Sequence, residues 1–203
     1  MRSIKHFFEQ SWLLIVASFF FGLLIAVTNA ALSARITWNA TAKLNTLAGG
    51  LLPEAEAFAP AKETLDIAAL GGKPQTLALY KATKGDETVG WIFTAVGSGF
   101  ADKIELVVAV DARFEKLAGF DVLASNETPG FGDQIKYDYF RNQFKGAPAG
   151  TLTLVSGGNS ETIDAEIVTI SGATVSSTAV VEAMSHYLVQ VKEQMRQKGL
   201  IEP

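Results

Sequence analysis

An uncharged apolar stretch near the N-terminus restricts the possible folds of this chain more than any other feature. No Asp, Glu, Lys or Arg lies between Gln10 and Ala34, and residues 11–27 are almost all apolar. Because an α-helix rises about 1.5 Å per residue, about 20 residues cross the roughly 30 Å hydrocarbon core of a bilayer. The stretch predicts one membrane-spanning helix in an N-terminal anchor, residues 1–36, followed by a separate domain, residues 37–203.

A cleavable signal peptide is the alternative interpretation of this stretch. Arg2 and Lys5 precede the apolar run, and small residues at 28–30 follow it. The run is longer than the apolar core of an ordinary signal peptide, which favours an uncleaved anchor. The two basic residues before the run are matched by Arg35 and Lys43 after it, so the positive charges do not assign an orientation.

Composition excludes several kinds of partner and of chemistry. The 203 residues are 48% hydrophobic and 19% charged, which is typical of a globular domain joined to a membrane segment. The net charge of −4 and the lack of Lys or Arg runs argue against nucleic acid as a partner. The absence of cysteine excludes disulfides, Fe–S ligation and thiol nucleophiles. Since His6 and His186 are the only histidines, we predict no metal site, and no pattern indicates a catalytic residue.

The patterns after the anchor predict an α+β domain with a mainly antiparallel sheet. Two short β-type segments flank the glycine-rich residues 71–74 and predict a hairpin. The large apolar residues at positions 104, 106, 108 and 110 alternate with the residues at positions 105, 107, 109 and 111. This period of two predicts a strand with one buried face. A short helix is predicted over residues 137–144, with Asp133 as its cap. Further strands are predicted at residues 88–96, 117–124, 151–155 and 165–170.

Hydroxyl-bearing residues and a glycine open the last predicted helix. The segment reads Ser171, Gly172, Ala173, Thr174, Val175, Ser176 and Ser177. Exposed N–H groups and the positive end of the helix dipole make such a start suitable for a phosphate. Taken alone, a Ser or Thr in front of a helix is more often a cap that accepts a backbone N–H. The buried face of the helix is predicted from the three-and-four spacing of Val180, Ala183, Met184, Tyr187, Leu188, Val191 and Met195.

A second segment lies after the strand at 117–124. It consists of Glu127, Thr128, Pro129, Gly130 and Phe131, and it continues through Gly132. Pro followed by Gly is ordinarily a tight turn, and a carboxylate beside a turn is ordinarily solvated. Neither segment by itself therefore indicates a function.

In this order, and behind a membrane anchor, the two segments resemble the motifs of FMN-binding subunits of the Rnf and Na⁺-translocating NADH:quinone oxidoreductase complexes. The resemblance extends over most of the chain, including the apolar span, residues 51–55 and the turn at residues 97–100. The short length of the chain is more similar to that of the Rnf G subunit than to that of its longer quinone-reductase counterpart. One position differs, because Thr169 stands two residues before the motif's serine, where the family often has Asp.

The resemblance implies a covalent flavin. In the family, a transferase moves FMN from FAD onto the last Thr of S-G-A-T, which is Thr174 here. The implied phosphate site uses N–H groups between Ala173 and Ser177. The flavin ring is expected against the loop from Glu127 to Phe131, with hydrogen bonds from the loop backbone and the Thr128 hydroxyl. The implied cofactor-binding residues are Ser171, Gly172, Ala173, Thr174, Val175, Ser176, Ser177, Glu127, Thr128, Pro129, Gly130 and Phe131.

The resemblance also implies a flavoprotein subunit of an Rnf-type ion-translocating ferredoxin:NAD oxidoreductase. Such a protein spans the bacterial inner membrane once and exposes its FMN domain on the extracytoplasmic side. Its expected partners are the lipid bilayer and the Rnf subunits A, B, C, D and E. The membrane subunits A, D and E matter most, because A and E hold a donor Fe–S centre and D an acceptor flavin. The alternatives are the C subunit of the quinone reductase and a cofactor-free anchored scaffold, in which S-G-A-T only caps a helix.

Overall fold

The computed structural model describes residues 2–202, apart from the side chains of residues 2–10, 34 and 37. The charges of Arg2 and Lys5 and the histidine at position 6 therefore lie outside the described side chains. The chain divides into two compact units, residues 1–43 and residues 44–203.

Helix α1 runs from Arg2 to Leu51. Its residues up to 43 belong to the first unit, and its last turns, from residue 44, belong to the second unit. Within α1, Ser11–Ser33 is long and apolar enough to cross a membrane, and none of its most apolar window is buried by protein. The helix ends two residues before Pro53, since a residue that precedes proline disfavours the helical conformation. The predicted apolar stretch is thus helical throughout.

The second unit is built on a five-stranded antiparallel sheet in the order β1-β4-β5-β6-β7, accompanied by two small two-stranded sheets. The strands are β1 Ala57–Pro60, β2 Leu65–Ala68, β3 Pro74–Leu77, β4 Tyr80–Lys84, β5 Glu87–Ser98, β6 Lys103–Asp111, β7 Leu117–Ser125, β8 Thr153–Val155 and β9 Glu166–Val168. The remaining helices are α2 Asp138–Arg141 and α3 Thr174–Gln197, with 3-10 turns at Gly132–Lys136 and Asn142–Phe144. The predicted α+β class with a mainly antiparallel sheet is confirmed.

The small sheets differ in direction. Strands β2 and β3 pair antiparallel across residues 69–73, as the hairpin prediction requires. Strands β8 and β9 pair parallel, with Leu154 opposite Ile167. The parallel pair needs a connection longer than a tight turn, and residues 156–165 provide it.

The predicted one-sided burial of β6 is wrong. Its even-numbered side chains enter the main core beneath α3, as expected, but Val107 and Ala109 on the other face are also fully buried. They belong to a second cluster with Leu44, Ala48, Leu51, Leu52, Ala82 and Ile92. Because the last turns of α1 cover this face, the central strand is apolar on both sides.

The assignment of Asp133 as a helix cap is also wrong. The residue lies inside the 3-10 turn Gly132–Lys136, and the buried Oδ1 atom of Asp133 has no hydrogen-bond partner among the described residues. Tyr137 takes the cap position of α2, and the predicted helix over residues 137–144 is a single α-turn continued by a 3-10 turn. Phe140 and Phe144 still face the core, with ring centroids 5.4 Å apart.

Three chain segments meet at one end of the main sheet. The β5–β6 turn lies beside the end of β7, because Ile104 pairs with Ser125. All seven apolar residues predicted for the α3 stripe are buried against the sheet. This arrangement places the start of α3 near the loop that follows β7.

Candidate functional site

A cavity of about 510 Å³ opens at this end of the sheet. It is lined by Phe100 from the β5–β6 turn, by Glu127, Thr128, Phe131 and Gly132 from the loop after β7, and by Gly172, Ala173, Thr174, Val175 and Ser176 at the start of α3. The structure thus brings the two motif segments to one cavity, although they are far apart in the chain.

Thr174 is the first residue of α3, and its side chain is exposed. Ala173 takes the cap position, and within the part of the chain that the structure describes no side chain caps this helix end by a hydrogen bond. The interpretation of S-G-A-T as a conventional Ser or Thr cap is therefore wrong for this chain. The Thr174 hydroxyl is therefore not used as a cap of α3.

Backbone N–H groups at the start of α3 are partly used. Ala173 donates to the Ile170 carbonyl at 3.0 Å, and Ser177 donates to the Ala173 carbonyl at 3.0 Å. The N–H groups of Thr174, Val175 and Ser176 have no acceptor in residues 2–202, as is usual in a first helical turn. The available anion site is therefore narrower than the predicted range of 173–177.

Ser177 lies away from the cavity. Its hydroxyl is fully buried, accepts the Ile170 N–H at 3.1 Å and donates to the Ala173 carbonyl at 3.0 Å. The side chain thereby stabilises the turn in front of α3. Ser171, Pro129 and Gly130, which the sequence also assigned to the site, do not line the cavity either.

The loop after β7 is held in shape by its own backbone. The Thr128 carbonyl accepts N–H groups from Phe131 at 3.2 Å and from Asp133 at 3.3 Å, so Pro129 and Gly130 form the predicted turn. Gln134 adds a side-chain hydrogen bond to the Gly130 carbonyl at 2.6 Å. Thr128 lines the cavity, and its hydroxyl is a polar group that the loop can offer to a ligand.

Glu127 is not the solvated carboxylate that its place beside a turn suggests. It is only 5% exposed, and its two oxygens accept the Ala101 N–H, at 2.9 Å, and the Ser176 hydroxyl. Hydrogen bonds to both oxygens offset the free-energy cost of burying a carboxylate in a protein interior. Glu127 therefore forms the floor of the cavity.

Sequence reasoning omitted two cavity residues, Phe100 and Gly132, from the predicted site. Phe100 is 74% exposed at the tip of the β5–β6 turn, and this exposure is a property of the fold that the sequence does not indicate. Gly132 follows the predicted loop directly. Its backbone lies against Glu127 and Ser176, a contact that cannot be derived from its position in the chain.

The residues of the cavity fit a phosphorylated planar ring. Three free N–H groups and an exposed hydroxyl at a helix start suit a phosphate or its ester. Phe100, Phe131, which is 59% exposed, and Val175, which is 51% exposed, supply apolar surface that suits an aromatic ring system. A polar end and an apolar end are thus present in one cavity.

Comparison with known proteins identifies the family of this chain. Residues 99–189, which include every residue lining the cavity, match the family model of the FMN-binding domain. The G subunit of the Na(+)-translocating ferredoxin:NAD(+) oxidoreductase complex of Acetobacterium woodii is 30% identical over 188 residues, which cover 89% of each chain. The chain belongs to the G-subunit family of these Rnf-type complexes. The predicted family is thereby confirmed.

Two other relatives in the G-subunit family share shorter regions. The G subunit of an ion-translocating oxidoreductase complex of Methanosarcina acetivorans is 31% identical over 136 residues, covering 66% of this chain and 67% of the relative. The G subunit of a proton-translocating ferredoxin:NAD(+) oxidoreductase complex of Clostridium ljungdahlii is 37% identical over 113 residues, covering 55% of this chain and 58% of the relative. The last match therefore spans little more than half of that relative's length.

Solved structures support the fold. Shewanella oneidensis NqrC superimposes with a TM-score of 0.57 at 24% identity, covering 72% of this chain and 71% of that chain. The C subunit of the Na(+)-translocating NADH-quinone reductase of Parabacteroides distasonis gives a TM-score of 0.50 at 22% identity, covering 66% and 77%. At these identities the likeness concerns the fold alone. Together with the apolar helix Ser11–Ser33, membership of the G-subunit family supports a membrane-anchored protein.

Proposed function

We propose that this member of the G-subunit family is the membrane-anchored flavoprotein subunit of an Rnf-type ion-translocating ferredoxin:NAD oxidoreductase, and that it carries FMN as a phosphoester of Thr174. The observation that carries the proposal is the position of Thr174. Its hydroxyl is exposed at the first residue of α3, on a cavity that also holds the second motif.

The attachment chemistry requires a transferase and FAD. The Thr174 oxygen would attack the phosphorus of the FMN half of FAD, so that one O–P bond forms while the pyrophosphate bond breaks. AMP leaves, and the threonine proton is released. The N–H groups of Thr174, Val175 and Ser176 are available to stabilise the negative charge of the resulting phosphodiester.

The apolar end of the cavity would hold the ring of the flavin. Phe131 and Val175 offer apolar surface close to the attachment point, and the Thr128 hydroxyl offers a hydrogen bond to a polar ring edge. Bound FMN supplies reversible uptake and release of electrons, and the chain binds and orients it. An ester bond also prevents loss of the cofactor where free FMN cannot be replaced.

The place of the protein in the complex is inferred from its family. We propose that residues 1–36 anchor the protein in the inner membrane and that residues 37–203 form an extracytoplasmic domain. Electrons would pass through the flavin between other members of the complex, with A, D and E as the nearest partners. The protein would transform no substrate by itself.

Intact-mass measurement of the full-length chain tests the proposal. The chain is produced together with a flavin transferase, and the wild type is expected to gain the mass of FMN less one water, located by peptide mapping on Thr174. The denatured band should fluoresce under ultraviolet light. Thr174→Ala should abolish both signals, whereas the control Thr178→Ala on the same helix should retain them. A dark, unmodified wild-type band beside a working transferase would instead favour the cofactor-free scaffold.

A further inference from the structure

The Glu127 carboxylate joins three segments of the chain beneath the cavity. It lies on the loop after β7, accepts the Ala101 N–H from the β5–β6 turn at 2.9 Å, and accepts the Ser176 hydroxyl from the first turn of α3. Ser176 is 2% exposed, so this hydrogen bond is shielded from water. Phe100 directly precedes Ala101, and Thr174 lies two residues before Ser176, so each hydrogen bond holds a segment that lines the cavity.

The lack of a side chain at two glycines leaves room for this carboxylate. A Cβ atom added at Gly99 would collide with Oε1 of Glu127 and would lie 2.7 Å from the Asp102 carbonyl oxygen. A Cβ atom added at Gly132 would collide with Oε2 of Glu127 and would lie 2.5 Å from the Ser176 hydroxyl oxygen. Because each carboxylate oxygen lies against the backbone of one glycine, the position of the carboxylate is defined closely.

The same contacts engage Glu127 with protein partners, although the residue lines the cavity. Both of its oxygens are engaged by protein donors, and the side chain is almost fully buried. The hydrogen bonds to Ala101 and Ser176 thus fix both oxygens against protein groups. Its effects must therefore act through the segments that it holds and through its charge.

We propose, on the basis of the proposed function, that Glu127 is a positioning residue that locks the first turn of α3 to the β5–β6 turn and thereby presents Thr174 for flavin attachment. Its buried charge has a second effect. A negative charge near a redox group in a medium of low dielectric constant disfavours the uptake of electrons, so Glu127 lowers the reduction potential of the attached flavin.

Two substitutions separate these effects. Glu127→Gln keeps the shape of the side chain, accepts the Ala101 N–H through its amide oxygen and donates to Ser176, but it carries no charge. Glu127→Ala removes both hydrogen bonds. Ser176→Ala is a milder variant that removes only the link to α3, and Glu182→Gln is the control, since Glu182 is an exposed carboxylate on the same helix.

Three measurements on the full-length chain give the outcome. Glu127→Ala should reduce the initial rate of flavin incorporation at least tenfold, and Ser176→Ala several-fold. Hydrogen exchange of the peptide containing Ala101 should be faster in Glu127→Ala without any flavin present. Glu127→Gln should incorporate flavin at close to the wild-type rate and show a more positive midpoint potential. Glu182→Gln should match the wild type throughout.

The outcomes are distinguishable. A wild-type chain that takes no flavin contradicts the proposed function, while exchange at Ala101 still reports on the structural link. If wild type is labelled and Glu127→Ala or Ser176→Ala is labelled equally fast, the positioning role is overturned. If Glu127→Ala does not fold, the Ser176→Ala rate decides the positioning role. An unchanged potential in Glu127→Gln overturns the effect of the charge.

Discussion

Gln190 of α3 forms two hydrogen bonds with the backbone of Ala68 in β2. Its amide oxygen accepts the Ala68 N–H at 2.9 Å, and its amide nitrogen donates to the Ala68 carbonyl at 3.1 Å. Gln194 repeats the arrangement with Asp66. Four residues of helix rise about 6 Å and two residues of strand about 6.6 Å, so the two amides match two backbone positions along the free edge of β2. The glutamines thus take the place of a neighbouring strand.

We expect truncation of these amides to destabilise the second unit. Gln190→Ala leaves the partly buried Ala68 N–H without its acceptor, whereas the Ala68 carbonyl keeps its 2.8 Å contact with the His186 ring nitrogen, and the change should lower the free energy of unfolding by about 1–3 kcal/mol. Gln194→Ala should cost less, since that pair is exposed. The measurement is denaturant unfolding followed by the fluorescence of buried Trp91. Gln197→Ala, which loses only an exposed contact with Glu193, is the control and should change the value by less than about 0.5 kcal/mol.

Gly132→Ala should perturb both the stability and the site. The added methyl group would meet Glu127 and Ser176, which are themselves packed, so overpacking should cost about 1–3 kcal/mol. Flavin incorporation should slow in the same variant. Gly157→Ala is the matched control, because nothing lies within 4 Å of a Cβ atom at Gly157. Equal melting temperatures for the two variants would contradict the close contact at Gly132.

Phe144→Ala should be among the most destabilising changes in the chain. The ring is fully buried, and its centroid lies 4.7 Å from that of Phe120 and 5.4 Å from that of Phe140. Loss of a buried phenylalanine with its cavity cost amounts to about 3–5 kcal/mol. Phe100→Ala removes the same side chain from an exposed position and should leave the free energy of unfolding almost unchanged. Denaturant unfolding of the two variants side by side checks the difference.

The pKa of Asp102 should lie below its ordinary value of 3.8. The backbone N–H of Lys103 donates to its carboxylate at 2.7 Å, and the Asn126 amide donates at 3.1 Å; both hydrogen bonds stabilise the charged form and lower the pKa. A lowered pKa stabilises the folded state above pH 3.8, and this contribution is lost as the pH falls through the folded-state pKa. NMR titration of the carboxyl carbon should show the pKa rising towards 3.8 in Asn126→Ala, and an unchanged pKa would argue against the Asn126 contact.

Much of the architecture could be predicted from local patterns. The alternation in β6 and the buried stripe of α3 depend on residue spacing of two and of three and four, which the backbone geometry of strands and helices imposes directly. The hairpin around residues 71–74 depends on glycines that allow a tight turn. The prediction that Asp133 caps a helix is wrong, because residues 132–136 form a 3-10 turn that the sequence pattern does not indicate. The parallel direction of β8 and β9 has no local signal either.

The candidate site shows the same division. Neighbours in the chain are enough to establish that hydroxyls and a glycine start a long amphipathic helix and that a Pro–Gly turn follows a strand. The burial of Glu127 follows from packing instead, since its partners Ala101 and Ser176 lie 26 and 49 residues away. Packing also brings Phe100 to the same cavity as Thr174 and covers β6 on both faces. Contacts between distant residues depend on how whole elements pack, and the periodicity of a single element carries no information about that.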